Sequence, residues 1–354
     1  MAIRFVVAFT ALALPGLAPT RAAPDEAAAE AAADKTTALF AEEELLPIEL
    51  NGPVRAIARL APRSTKPHSA RLSAAGESHA ITLSARGISR RLRENCQFPP
   101  MRIDLVAKPA SDSLFARQNR MKLVTHCRDR DQYENAVMRE YIAYRLYSLM
   151  TPQALKVRLV QVTYREGSDT VTTRRGFLIE DIDDAARRVG LKEVSTGTIA
   201  PAALEPRATA RYAMFQYMIG NTDFAMVAGP NSGKCCHNSK LLAPDKNARS
   251  GLVPVPYDFD NAGIVDASYA MPSEKLPVRN VRQRLYRGFC HLNPLAREEA
   301  AKIVALRPAI LREIATSPAL DAGSRRQMTS YLEAFFDIAS DPERLEQRVI
   351  SRCR

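Results

Sequence analysis

Apolar and polar residues alternate along much of the first half of the chain. The alternation is clear at residues 46–50 and again at 81–85. Successive side chains of a β-strand point to opposite faces, so both segments are predicted to be strands with one buried face. Further short runs of apolar or β-branched residues predict strands at 101–106, 121–124, 157–164 and 176–179.

One helical pattern interrupts these strands, at residues 133–150. Its apolar residues recur at steps of four, four and three, which places them on one face of a helix. These residues are Met138, Ile142, Leu146 and Leu149. Tyr144 and Tyr147 lie on the other side of the helix, so we expect both faces to be covered by the rest of the protein.

After about residue 200 the pattern is mostly helical. A helix is predicted at 208–219, ending at Gly220, because glycine readily adopts the left-handed conformation that follows a helix. Pro, Gly and Asp residues separate three more predicted helices, at 294–314, 324–338 and 342–350. Strands followed by helices predict a two-lobed α+β fold with a cleft between the lobes.

The amino terminus is typical of an export signal. Arg4 provides the positive charge, 5–14 form an apolar run too short to span a bilayer, and small residues near Ala23 suit cleavage. We therefore predict a signal peptide at 1–23 and a periplasmic or secreted protein with no transmembrane anchor after cleavage. The Ala/Glu-rich segment 24–44 is interpreted as a linker or frayed helix. A strand-rich N-lobe at 45–180 and a helical C-lobe at 181–354 follow.

The net charge is positive, at +11 for the whole chain. Removing Arg4 and Arg21 with the signal leaves 48 basic and 39 acidic residues, or +9. A positive field favours anionic partners such as nucleotides, anionic glycans or membrane surfaces. The basic residues are scattered and show none of the interleaving with aromatic residues that stacks nucleic-acid bases, so no nucleic-acid partner is predicted.

The chain has an even number of cysteines, six. Behind an export signal this number predicts up to three disulfides. Cys96 and Cys127 flank two predicted strands of the first half, and the other four lie in the second half, which favours pairing within each half. The alternative is a metal site built from Cys235, Cys236, His237, Cys290 and His291, although adjacent cysteines lack the spacing of a zinc knuckle.

The first residues that suggest chemistry are Lys122, inside an apolar strand, and Glu140, eighteen residues later on the helix. A buried ammonium needs a counter-charge or a phosphate, because burying it unpaired is costly. A carboxylate on the neighbouring helix could supply that charge, so we expect a Lys122–Glu140 ion pair. The alternative is that Lys122 points to solvent from the polar face of the strand.

A second group of polar residues follows the helix that ends at Gly220. Asp223 comes three residues later and Asn238 fifteen residues after it. Asp258 and Asp260 then stand two residues apart behind a short apolar run. Carboxylate oxygens in such a turn are suited to Mg²⁺ or Mn²⁺. The alternative is that Asp223 forms a turn and that the two later acids only order a loop.

Together these residues follow the order found in kinases: a strand lysine, a helix glutamate, a catalytic aspartate, an asparagine and a metal-binding aspartate. The chain resembles the spore-coat protein H (CotH) kinase family over about residues 80–270. The similarity is carried by five segments: Arg86-Gly87-Ile88-Ser89 before Pro99-Pro100-Met101-Arg102-Ile103, Gly176-Phe177-Leu178-Ile179-Glu180, Asn221-Thr222-Asp223, His237-Asn238 and Asp258-Phe259-Asp260.

The resemblance implies a protein-kinase-like fold and a role for each matching residue. Lys122 would hold the α- and β-phosphates of ATP or another nucleotide, Glu140 would orient Lys122, and Asp223 would accept the proton of the substrate hydroxyl. The remaining expectations are that Glu180 lies at the hinge of the nucleotide site and that the metal is held by Asn238 and Asp258 with help from Asp260.

The predicted function is therefore an exported kinase-like phosphotransferase, acting on a hydroxyl group of a protein or glycan with Mg²⁺ or Mn²⁺. Two alternatives stay open. One is a catalytically silent kinase-like binding protein of the cell envelope. The other is a secreted structural protein.

Overall fold

The computed structural model describes residues 35–229 and 233–354. The signal peptide predicted at 1–23 and most of the predicted linker 24–44 lie outside the described residues. The described part of that linker includes a short helix, α1 (Ala38–Ala41). Leu39 and Phe40 of this helix are buried in the same core as the first strands, so the packed structure begins before residue 45.

Seven strands form a closed barrel in the first half of the described chain. They are β1 (Leu46–Asn51), β2 (His68–Ala74), β3 (Glu77–Ala85), β4 (Met101–Leu105), β5 (Arg120–Val124), β6 (Val157–Glu166) and β7 (Asp169–Ile179). The order around the barrel is β1-β2-β3-β4-β5-β7-β6. It closes because β1 pairs in parallel with β6, with Leu46 opposite Val160, whereas the other neighbours are antiparallel.

A second, three-stranded sheet lies in the other half of the chain. It consists of β8 (Lys192–Glu193), β9 (Ser239–Ala243) and β10 (Val253–Pro256), in the order β10-β9-β8. The helices after α1 are α2 (Val54–Leu60), α3 (Asp131–Ser148), α4 (Ile182–Arg188), α5 (Pro206–Ile219), α6 (Asn293–Ala305), α7 (Arg307–Thr316), α8 (Ala322–Ala339) and α9 (Pro342–Arg348).

The predicted fold class, a two-lobed protein-kinase-like fold with a strand-rich N-lobe containing one helix, is wrong. The described residues form a closed seven-stranded mixed barrel accompanied by nine α-helices. The barrel closes through the parallel pairing of β1 with β6, two strands that lie far apart in the chain. Local alternation of apolar residues identifies strands but carries no information about such a distant partner.

Most predicted elements are present with shifted ends. The strands expected from apolar runs correspond to β1, β3, β4, β5, β6 and the end of β7, and the helix expected at 133–150 is α3. Gly220 ends α5 with a φ of +67°, as predicted. The helix expected at 294–314 is divided in two, because Pro308 has no N–H to continue a helix and fits the first turn of α7.

All six cysteines are in disulfides, which join Cys96 to Cys127, Cys235 to Cys236 and Cys290 to Cys353. The predicted pairing within each half of the chain is confirmed. The structure therefore suits an oxidising compartment. Within 35–229 and 233–354, no helix is both long enough and apolar enough to cross a bilayer.

Candidate functional site

A buried arginine stands at the centre of the carboxylates singled out in the sequence. Arg90 lies on a short 3₁₀ turn, Ser89–Arg91, in the loop that follows β3, and it is 4% exposed. Its Nη1 is 3.3 Å from Glu140 Oε2, its Nη2 is 3.3 Å from Asp258 Oδ1, and its Nε is 3.2 Å from Asp260 Oδ2. One guanidinium thus joins α3 to the segment after β10.

The expected ion pair between Lys122 and Glu140 is not among the ion pairs of the described residues. Glu140 instead has Arg90 as its cation. The sequence patterns did not indicate Arg90, although it directly follows segment 86–89, which carries part of the CotH resemblance. The signal was weak, because nothing local shows that this loop folds inward.

The carboxylates around Arg90 outnumber the cation. Burial raises the pKa of Glu140 and of Asp260 above their usual values, although the charge of Arg90 opposes both shifts. Glu140 is 1% exposed, and its Oε1 has no hydrogen-bond partner within the described chain. A buried carboxylate oxygen without a donor is costly, so the cluster favours an additional positive charge.

Asp223 belongs to a separate hydrogen-bonded group beyond the end of α5. Its Oδ1 is 2.7 Å from Nε2 of His237, and its Oδ2 accepts hydrogen bonds from the side-chain amides of Asn238 and Asn261, at 3.1 and 3.0 Å. Burial raises the pKa of Asp223, but these hydrogen bonds outweigh it and lower the pKa overall. Asp223 is therefore an ionised carboxylate held in one orientation.

Two residues of the site have left-handed backbone conformations. Asn238 has a φ of +49° and Asp258 a φ of +64°, values that Asn and Asp tolerate better than most residues. The backbone N–H of Asp258 donates a hydrogen bond to Tyr144 Oη at 2.8 Å. Tyr144 is on α3, so the helix that carries Glu140 also holds Asp258. Asp258 keeps about a third of its side chain exposed, unlike Glu140 and Asp260.

Lys122 is a second unusual cation of the site. Its Nζ lies 5.4 Å from the centre of the Tyr257 ring, and it forms no ion pair with any described residue. Burial, assisted by the nearby charge of Arg86, lowers the pKa of Lys122 to about 8. The charge of Arg86 also acts to lower the pKa of Glu140, so Arg86 is near both the lysine and that carboxylate. Arg86 likewise has no ion-pair partner in the described structure.

The residues proposed to hold a metal differ in burial and in the contacts that they make. Asp260 is buried against Arg90, Asp258 is partly exposed, and Asn238 uses its amide N–H groups on Asp223, which leaves its amide oxygen for a cation. The described residues contain no group of three or more His, Cys, Asp or Glu side chains placed to hold a metal alone.

Such an incomplete set fits Mg²⁺ better than a metal that needs a full protein cage. Mg²⁺ usually keeps several waters and is held by one or two carboxylates together with phosphates of the substrate. Asp258 and the amide oxygen of Asn238 are of the ligand type that Mg²⁺ takes.

Glu180 has a structural environment. It is buried, both of its oxygens accept hydrogen bonds from Arg188, and the backbone N–H of Lys156 donates to one of them. These contacts join the end of β7 to α4. Its predicted part in nucleotide binding stays a prediction.

The candidate site thus combines two cations, Arg86 and Lys122, with a carboxylate cluster around Arg90 and an ordered Asp223. Comparison with known proteins adds no identity: no protein-family model and no curated protein matches this sequence. The resemblance to the CotH family stays a prediction.

Proposed function

We propose that the protein is an exported, metal-dependent phosphotransferase that moves a nucleotide phosphate to a hydroxyl group of a protein or glycan. The observation that carries the proposal is that two cations and one carboxylate oxygen of the site have no partner in the described structure. Among the described residues, Lys122 and Arg86 form no ion pair with a carboxylate, while Glu140 has a buried oxygen without a donor. A phosphate bearing a divalent cation satisfies both sides together.

The role proposed for each residue follows from its contacts. Lys122 and Arg86 bind phosphate oxygens, because both are cations without ionic partners in the described chain. Asp258 and Asn238 hold Mg²⁺ or Mn²⁺, which would neutralise phosphate charge during transfer. Asp223, ionised and held by three donors, accepts or orients the hydroxyl proton of the substrate.

Export to the periplasm or beyond belongs to the same proposal. Its support is the apolar amino-terminal segment followed by small residues, together with the three disulfides.

A second function has its own supporting observation. Arg90 already neutralises part of the carboxylate cluster from within. A protein that binds an anionic ligand through Lys122 and Arg86, without a metal and without transfer, would need such a built-in cation. A catalytically silent binding protein of the cell envelope is therefore the alternative.

The two functions separate in a binding and transfer experiment. We expect ATP with Mg²⁺ or Mn²⁺ to raise the free energy of unfolding, by about 2.7 kcal/mol at a hundred times the Kd. Asp258→Asn should abolish the metal-dependent part of binding. Asp223→Asn should retain binding, while phosphate transfer falls by roughly two to four orders of magnitude, the usual contribution of a general base.

Lys122→Met should weaken binding of nucleotide and of inorganic tripolyphosphate alike. Lys192→Met is the matched control, since Lys192 is an exposed lysine of β8. Binding that needs no metal and never leads to transfer favours the silent binding protein. A parent protein that binds no nucleotide with either metal contradicts the phosphotransferase, and one that also binds no inorganic tripolyphosphate without metal contradicts the silent binding protein.

A further inference from the structure

The loop that carries Asp223 has no regular secondary structure. Residues 221–224 follow the end of α5 and belong to no helix or strand. The two neighbours of Asp223 in this loop are buried, Thr222 at 8% and Phe224 at 3% exposure. Buried backbone carbonyl groups outside helices and sheets need hydrogen-bond donors from side chains or water. The position of Asp223 therefore depends on the side chains that supply those donors.

Arg287 supplies donors on both sides of Asp223. Its Nη1 donates to the carbonyl oxygen of Thr222 at 2.7 Å and to that of Phe224 at 2.6 Å. Its Cζ lies 4.6 Å from the centre of the Phe224 ring, a distance suited to a cation–π interaction. The carbonyl oxygen of Asp223 itself accepts a hydrogen bond from Asn238 Nδ2 at 2.8 Å. Three successive carbonyl groups are thus held by two side chains, and Arg287 holds the outer two.

The segment that carries Arg287 is itself fixed by contacts with residues 353 and 354. The backbone N–H of Arg354 donates to the carbonyl oxygen of Gly288 at 2.9 Å, and the backbone N–H of Cys290 donates to the carbonyl oxygen of Arg354 at 3.2 Å. The disulfide between Cys290 and Cys353 crosslinks the same two segments. Arg287 forms no ion pair with any described carboxylate, and its hydrogen bonds go to the Asp223 loop.

These contacts matter for the proposed chemistry because Asp223 can act on a substrate hydroxyl only within hydrogen-bond reach of it. A displacement of about 1 Å in such a site can cost about a hundredfold in rate. We propose that Arg287 is a positioning residue for the transfer, an inference that rests on the proposed function. It fixes the backbone on both sides of Asp223 and so sets the direction of that carboxylate. This role needs no contact between Arg287 and the nucleotide or the metal.

Hydrogen exchange tests this contact without any substrate. Arg287→Met removes both hydrogen bonds and keeps an unbranched side chain. We expect the backbone amides of 222–225 to exchange at least about tenfold faster in this variant, because the loop then opens more often. Arg279→Met is the matched control, since Arg279 is an exposed arginine of the same connecting segment, and it should exchange like the parent. Mass spectrometry of peptides that cover 220–226 measures the rates.

Phosphate transfer tests the consequence for catalysis. In Arg287→Met, kcat should fall about a hundredfold, as expected for a misplaced catalytic group. The KM for nucleotide and its affinity with Mg²⁺ should stay within about threefold of the parent values, because Lys122, Arg86 and Asp258 are unchanged. A merely structural role would lower nucleotide affinity together with kcat. Arg287→Lys keeps the charge and N–H donors without the flat guanidinium, so it should recover part of kcat, and it replaces Arg287→Met if that variant does not fold.

A double-mutant cycle shows whether Arg287 acts through Asp223. Asp223→Asn already removes the proposed base, so adding Arg287→Met to it should slow transfer by less than about threefold further. Two losses that multiply in full would mean that Arg287 acts independently of Asp223, and would overturn the inference.

The outcomes distinguish this inference from the proposed function. If the exchange rates or kcat are unchanged in Arg287→Met, or if kcat and nucleotide affinity fall equally, the positioning role is overturned even though the parent transfers phosphate. A parent protein that transfers no phosphate contradicts the proposed function. The exchange measurement then decides alone: faster exchange in Arg287→Met supports Arg287 as the residue that holds the loop, and unchanged exchange overturns it.

Discussion

The barrel contains a buried histidine that should make the protein sensitive to mild acid. His126 is completely buried, packs against Phe98 and Tyr164, and has no hydrogen-bond partner on either ring nitrogen within the described chain. Burial lowers its pKa from 6.5 to about 4, although the charge of Asp129 opposes the shift. The folded protein therefore holds this imidazole in its neutral form.

The sign and size of the effect follow from proton linkage. Between pH 6.5 and pH 4 the unfolded chain binds a proton at His126 that the folded protein does not, so stability falls as the pH falls through this window. One pKa unit corresponds to 1.36 kcal/mol, so the shift amounts to about 3.4 kcal/mol in full. About 2.5 kcal/mol of this should be lost between pH 7 and pH 4.5.

The perturbation is His126→Phe, which keeps an aromatic ring and removes both nitrogens. Urea unfolding at pH 7, 6, 5 and 4.5 measures the free energy of unfolding. The variant should match the parent near pH 7 and lose about 2.5 kcal/mol less on acidification. His126→Leu is measured alongside, because the slightly larger Phe could strain the core. His291→Asn serves as control, since His291 is exposed. If both His126 variants lose as much stability as the parent, buried neutral His126 is not the cause.

Three further predictions concern the barrel and the site loop. Phe40→Ala should destabilise the protein by about 3–5 kcal/mol in urea unfolding, because Phe40 is 4% exposed within the barrel core. Replacing Cys96 and Cys127 by serine should cost about 3–4 kcal/mol, as expected for a loop of this length, and should weaken nucleotide binding by loosening the loop that carries Arg90. Arg90→Met should cost about 3–5 kcal/mol at pH 8 and less at pH 6, where Glu140 and its acidic neighbour take up protons more readily.

Each of these three has a contrasting outcome. Full stability of Phe40→Ala would mean that α1 is not part of the fold. An unchanged nucleotide affinity after loss of the first disulfide would separate that crosslink from the site; removal of the Cys290–Cys353 disulfide provides the comparison. A destabilisation of Arg90→Met that is equal at both pH values would show that the carboxylates around it stay charged without their cation. Arg93→Met, in the same loop, is its surface control.

Local patterns predicted the elements of the barrel better than its architecture. Residues 46–50 and 81–85 alternate, and both segments are strands with one face in the barrel core. Strand β2 was missed, because Leu72 is its only large apolar residue and polar residues occupy most of its other positions. The first half of β7 was missed for the same reason, since Thr and Arg residues predominate there.

The sequence also predicted the carboxylates of the site better than the cation that joins them. Asp258 and Asp260 are two residues apart, so their proximity is visible in the sequence. The cation that joins them is Arg90, which lies in a loop far earlier in the chain. Its Nη2 contacts Asp258 Oδ1 at a sequence separation of 168 residues. Contacts of this kind depend on the closed barrel and on the Cys96–Cys127 crosslink, neither of which leaves a periodic signal.

The position of Arg90 has a consequence for how the site could bind metal and phosphate. Its guanidinium is divided among three carboxylates at 3.2–3.3 Å, so none of them is neutralised by a close bidentate pair. Burial raises the pKa values of Glu140 and Asp260, whereas Asp258 keeps about a third of its side chain exposed. Arg90 therefore stabilises the buried part of the cluster and contacts only one oxygen of Asp258, the partly exposed carboxylate. Asp258 is therefore the carboxylate on which metal-dependent binding should depend.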